Sequence, residues 1–90
     1  MTRKLKLNRI ACVVPFCGRT RAGSGFEWIC MIHWPMVDRA LRRRLARCRR
    51  LIKKAYRLGR AGVAEALARS FDQTWETCKA QAIERAAGIS

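Results

Sequence analysis

The sequence predicts a mainly α-helical fold: a small Cys/His knuckle with a short β-hairpin, followed by an antiparallel two-helix hairpin. Three observations carry this. Cys12, Cys17, Cys30 and His33 fall into two close pairs, in the pattern C-x4-C-x12-C-x2-H, within the first third of the chain. Apolar residues recur at spacings of three and four along two stretches of the remainder, which is the period of a helix buried on one face. At 90 residues, the chain makes one compact domain of a size where a hydrophobic core alone is often marginal and a metal ion commonly helps.

The first part, residues 1–9, is a basic leader (MTRKLKLNR) with little to bury. It is expected to be a flexible arm or an edge strand, of the kind that tracks a phosphate backbone.

Residues 10–34 read as the metal module. Ile10–Val14 and Phe26–Ile29 are short β-prone runs, Pro15-Phe16-Cys17-Gly18 has the composition of a tight turn, and Gly23-Ser24-Gly25 marks a loop between the runs. Gly18, directly after a cysteine, is placed to adopt positive φ and turn backbone N–H groups toward the thiolate. Thiolates and one imidazole in two close pairs suit a tetrahedral Zn²⁺, so Cys12, Cys17, Cys30 and His33 are the expected ligands of one structural zinc ion. The competing reading is three buried thiols and a core histidine. Pro35 is expected in the first turn of the helix that follows, where its missing N–H is not needed.

Residues 35–90 read as a basic helical hairpin. Val37, Leu41, Leu45, Cys48, Ile52 and Ala55 form one apolar stripe, and Ala64, Leu67, Phe71, Trp75, Cys78 and Ala82 form a second. The connection near Gly59-Arg60-Ala61-Gly62 is short enough to make the two helices antiparallel neighbours, and Gly88 is a natural stop. Cys48 and Cys78 lie on the two stripes, where small buried thiols explain them without redox chemistry.

The knuckle resembles the treble-clef and zinc-ribbon class of small zinc modules. That resemblance places Cys12 and Cys17 on the knuckle and Cys30 and His33 as the second ligand pair; the four-residue first spacing is looser than the commoner two. The run CVVPFCGRTR followed by WICMIHW and a basic helical hairpin is also similar to small uncharacterised proteins of phages and prophages, which implies no activity. Treble-clef relatives include HNH-type nucleases. Here, however, the only histidine is committed to the metal, and Glu27 and Asp38 are lone carboxylates in basic surroundings, so no catalytic set can be assembled. The expectation is a binding protein and not an enzyme.

Function is read from charge. The chain carries 20 Lys+Arg against 6 Asp+Glu, a formal net charge of +14, and residues 1–60 hold 17 of the basic and 2 of the acidic side chains. Arg39, Arg42, Arg43, Arg47, Arg50, Lys53, Lys54 and Arg57 occupy the faces of the first helix away from its apolar stripe, with Arg44, Arg49 and Arg60 beside them. Like charges at these spacings repel by a few tenths of a kcal/mol per pair, a cost that a polyanion removes.

The expected function is therefore docking on the phosphates of DNA or RNA through this helix and the knuckle arginines Arg19 and Arg21. Trp28, Trp34, Phe16, Phe26 and Tyr56 are candidate stacking surfaces for unpaired bases, although Trp28 and Trp34 fit better as a small core beside the metal. The alternative is a phage-type protein-interaction module that inhibits or redirects an acidic or nucleic-acid-handling host protein. A membrane-surface role ranks last, since the second helix is available to cover the apolar stripe. No segment has the length of a membrane span or the layout of a secretory signal, and cysteines at metal spacing suit a reducing compartment. The expected location is the cytoplasm of a bacterial or phage-infected host cell.

Overall fold

A computed structural model describes residues 8–23 and 26–88. Leader residues 1–7 and the loop residues Ser24 and Gly25 lie outside that description. The order of elements is strand β1 (Arg9–Ala11), strand β2 (Thr20–Ala22), a 3₁₀ turn (Trp34–Met36), helix α1 (Arg39–Arg57) and helix α2 (Ala61–Ala86). The mainly helical architecture, with a two-stranded hairpin ahead of two helices, is as the sequence predicts.

The strand pairing differs in one respect. β1 pairs antiparallel with β2, Ile10 opposite Arg21, and not with the Phe26–Ile29 run. Closing C-x4-C on itself sends the chain straight back after Cys17, so the residues following the knuckle meet those preceding it, and the Cys12 N–H bonds the Arg19 carbonyl at 2.9 Å. Phe26–Ile29 forms no strand and is joined to the module by a single parallel bridge, Trp28 to Cys12. Its Glu27 is drawn to α2 instead.

Pro35 also falls elsewhere than expected. It sits in the 3₁₀ turn, and Val37 with ψ 141° breaks the chain before α1 begins. Asp38 occupies the N-cap position of α1 without capping it. Its backbone N–H donates to Gln81 Oε1 at 2.9 Å, and its carboxylate accepts from Gln81 Nε2 and Arg85 Nη1, both at 2.9 Å. The break between turn and helix is thus held from α2.

α1 ends in a Schellman motif. Gly59 takes φ 70°, its N–H bonds the Tyr56 carbonyl at 3.0 Å and the Arg60 N–H bonds Ala55 at 2.8 Å. Positive φ is what glycine supplies at no steric cost there, and the return is tight enough to lay α2 against α1. Gly88, just past the end of α2, also takes positive φ, 81°, and its N–H bonds the Arg85 carbonyl at 3.1 Å.

The core sits where the module meets the helix pair. Val14, Ile29, Val37, Leu45, Trp75 and Ala82 are buried there together with Cys12, Cys30 and Cys78. Towards the hairpin tip the buried contacts come from small residues, Cys48, Ala55 and Ala64. Cys48 Sγ lies 3.9 Å from Ser70 Oγ. Ser70 is eight residues, about 12 Å of helix, from Cys78, so the two stripe cysteines do not face each other and both are free.

Two polar clamps close the junction. Glu27 accepts from Trp75 Nε1 at 2.9 Å and from Lys79 Nζ at 3.1 Å; Asp38 is held by Gln81 and Arg85 as described. Both carboxylates are thus taken up in structural contacts with α2. The Trp75 hydrogen bond and then Lys79 hold Glu27 below the ordinary carboxylate range. Gln81 and then Arg85 do the same for Asp38.

Depressed carboxylates stabilise the fold above their unfolded pKa and lose that contribution as pH falls through the folded one. Below about pH 4.5 the melting temperature should therefore drop, and less steeply in Glu27→Gln than in the parent. A thermal melt series read as the difference of the two slopes checks this, since thiolate protonation is common to both proteins. Trp75→Ala, at a residue 7% exposed, should cost about 3–5 kcal/mol in chemical denaturation.

Candidate metal centre

Each ligand is placed by a different local device. Cys12 follows β1 directly and is fixed by the hairpin. Cys17 ends the turn Val14-Pro15-Phe16-Cys17, whose Cys17 N–H bonds the Val14 carbonyl at 3.2 Å. Proline in second place and positive φ in third is the plan of a type II turn, and the third residue is Phe16 at φ 66°. A non-glycine residue there costs about 1–2 kcal/mol, and the Phe16 side chain is fully exposed. Reasoning from sequence assigned positive φ to Gly18, which does adopt it at 77°, but missed Phe16.

Cys30 and His33 share one helical turn, with the His33 and Trp34 N–H groups bonding the Cys30 carbonyl at 3.1 and 2.9 Å. The ring of His33 is thereby aimed so that Nδ1 faces the sulfurs. It lies 3.2 Å from Cys30 Sγ and 3.8 Å from Cys12 Sγ. Cys17 Sγ lies 3.7 Å from Cys30 Sγ. All four ligand atoms fall within 4.8 Å of one another.

A tetrahedral ion with metal–sulfur bonds of about 2.3 Å requires sulfur atoms about 3.8 Å apart. The Cys17–Cys30 separation of 3.7 Å fits that shell. Cys12, Cys17, Cys30 and His33 are positioned to coordinate one metal ion.

The surroundings support thiolate character unevenly. At Cys17 the Arg19 backbone N–H, and then its guanidinium 3.6 Å away, lower the thiol to about 7 against the opposing effect of desolvation. At Cys12 burial pushes the thiol up, although the Cys30 N–H, 3.3 Å from its sulfur, works the other way. The anticipated turning of backbone N–H groups toward the knuckle thiolate is realised by Arg19, the residue after Gly18.

The basic residues fall into distinct settings. Arg39, Arg43, Arg47, Arg50, Lys53, Lys54 and Arg57 are all exposed on α1. Arg42 is half-buried and its Nε donates to the Val37 carbonyl at 3.0 Å, which ties it to the break before the helix. Arg21 is exposed on β2, and Arg19 is exposed beside Cys17. The ion pairs among the described residues join Lys79 to Glu27 and Glu76, and Arg85 to Asp38. None involves α1.

Of the aromatics, Phe26 packs against Phe71 and Trp75 with centroids 6.1 and 5.5 Å apart. Trp34 meets Trp75 at 6.4 Å. Trp28 and Trp34 are half-buried against the core, as expected, and Tyr56 is 62% exposed near the hairpin tip. Phe71, Trp75 and Lys79 were not anticipated as partners of the module. The one sequence signal was that Trp75 and Lys79 lie a helical turn apart, on one face, able to meet a single acid.

No family model, curated protein or solved structure matches the chain. Among the described residues, no helix is long and apolar enough to cross a membrane.

Cobalt(II) added to the metal-free protein should bind in a one-to-one ratio and give the intense visible bands of a tetrahedral thiolate site. Those bands should vanish in Cys30→Ala and weaken or shift in His33→Ala. A titration followed by absorbance checks both.

Proposed function

We propose that the protein is a zinc-stabilised nucleic-acid-binding domain that docks on phosphates through α1. The observation that carries the reading is the outward face of α1. Arg39, Arg43, Arg47, Arg50, Lys54 and Arg57 follow one another at spacings of three and four, with no acidic residue between Arg39 and Arg57. They form one continuous stripe. Over 18 residue steps at 1.5 Å it runs about 27 Å, the rise of about eight nucleotides on one strand of a duplex. Guanidinium groups suit this task because each presents a planar fork to two phosphate oxygens.

Zinc suits the ligand set because three thiolates and an imidazole are its common structural shell, and four protein ligands complete it. Bound there, the ion would cross-link the knuckle to the turn that leads into α1. Its role is to hold and orient, and the chain's only histidine is spent on it. A binding role without catalysis follows, and five free cysteines favour a reducing compartment such as the cytoplasm.

A second reading, a protein-interaction module, is favoured by one separate observation. Phe16 is fully exposed, and Met31 and Ile32 are 80% and 49% exposed, all on the metal module. Capture of a partner that survives nuclease treatment would favour it over nucleic acid.

The test is affinity for duplex DNA and for RNA as a function of salt. With about six phosphates neutralised, log K should fall against log salt with a slope near −5 on duplex DNA. The triple variant Arg43→Gln, Arg47→Gln, Arg50→Gln should reduce that slope by about three and weaken binding regardless of sequence. Salt-independent binding would rule the reading out.

A further inference from the structure

Between the β-hairpin and the helix pair lies a cleft of about 960 Å³. Its size is at the upper end of the range of small-molecule sites, with room for a base and its sugar. Phe26, Trp28 and Trp34 line it from the metal module, Phe71 lines it from α2, and Arg21 and Arg49 add charge from β2 and α1. We propose that this cleft receives an unpaired base of a single-stranded nucleic acid whose phosphates run along α1. The proposal rests on the nucleic-acid reading above and narrows it to single strands.

Two observations on the cleft wall select this occupant. Phe26 is 54% exposed even though it packs on two other rings, so part of its surface remains open for stacking. The Arg49 guanidinium lies over the Phe71 ring, 5.7 Å from its centroid, which lays a planar cation along the wall. Aromatic faces and guanidinium planes are the surfaces on which splayed bases stack.

The charge of the cleft also matches. Glu27 is the one acid lining it, and its carboxylate is occupied by Trp75 Nε1 and Lys79 Nζ. The remaining free charge comes from arginine. An anionic, planar, partly apolar ligand fits, and a nucleotide is all three.

The two sites are continuous. Arg49 precedes Arg50 of the stripe and lies about 100° round the helix from it, so a strand held at Arg47 and Arg50 can turn a base inward past Arg49. A base within a duplex cannot make that turn without unpairing. Duplex DNA therefore engages the stripe alone. The basic leader is a poor occupant by comparison, because Arg3, Lys4 and Lys6 would add cations to a cleft already positive.

The experiment uses the full zinc-loaded chain with a short oligothymidylate, an abasic strand of equal length and charge, and a duplex of that length. Affinity is read by anisotropy and stacking by quenching of tryptophan emission. The oligothymidylate should quench the emission and bind about tenfold more tightly than the abasic strand, the scale of one to two base–aromatic stacks. Phe26→Ala, at a half-exposed side chain, should abolish that preference while leaving abasic affinity and its salt slope unchanged.

Equal affinity for all three ligands without quenching would overturn the cleft proposal and leave the phosphate reading standing. Failure to bind any of them would overturn both. Quenching that appears only after residues 1–7 are deleted, or an oligoglutamate peptide that outcompetes the oligothymidylate, would assign the cleft to the leader or to an acidic protein and overturn it as well.

Discussion

Cys30 has no accessible surface, and its sulfur lies within 3.7 Å of both Cys17 Sγ and His33 Nδ1. It belongs to the ligand cluster and to the hydrophobic core at once. Thiolates held this close would repel one another strongly in a partly buried site, so a cation bound there and the fold that gathers the ligands would depend on each other. The strands around them are three residues each, far short of what stands alone in water. The convergence of the four ligand atoms is the constraint on which the N-terminal third is built.

The segment that carries the second ligand pair is splinted at both ends by α2. Glu27 reaches Trp75 and Lys79 at one end, and Asp38 reaches Gln81 and Arg85 at the other. Each clamp uses two residues four apart, neighbours on one helical face. Cys30 and His33 lie between the clamps, while the 3₁₀ turn and the break at Val37 are held by the second one, helped by Arg85 Nη1 on the Met36 carbonyl at 2.7 Å. The long second helix is thus more than a cover for the apolar stripe of α1. It sets the distance over which the segment carrying Cys30 and His33 must fold.

What could be read from sequence was what local rules decide. The ligand set follows from residue type and spacing, the two helices from period, and the turn near Gly59 from the short Gly-containing break between the two apolar stripes. What could not be read depends on tertiary partners. Phe26–Ile29 has strand composition, yet Glu27 finds α2 and the ladder passes to Thr20–Ala22. Pro35 suits a first helical turn, yet Asp38 is pulled to Gln81 and the helix begins later. Phe16 in the left-handed region contradicts local preference, at the third position of the turn that closes on Cys17. In the first two cases a contact distant in sequence overrode a local preference.

Charge is distributed by the same division of labour. Four of the six acidic residues lie on α2, and the other two, Glu27 and Asp38, are bonded to it. α1 is left with cations alone along its outer face. A helix so charged is opposed by its own side chains, and its own propensity does little to offset that. It persists because Leu45, Cys48 and Ala55 are buried against α2 and the module, in a core that does not involve the charged face. Packing therefore holds in place an electrostatic strain that neither solvent nor an internal partner relieves beyond screening over about 8–10 Å. A strand of phosphates laid along that stripe, as proposed above, would relieve it without disturbing a core contact of α1.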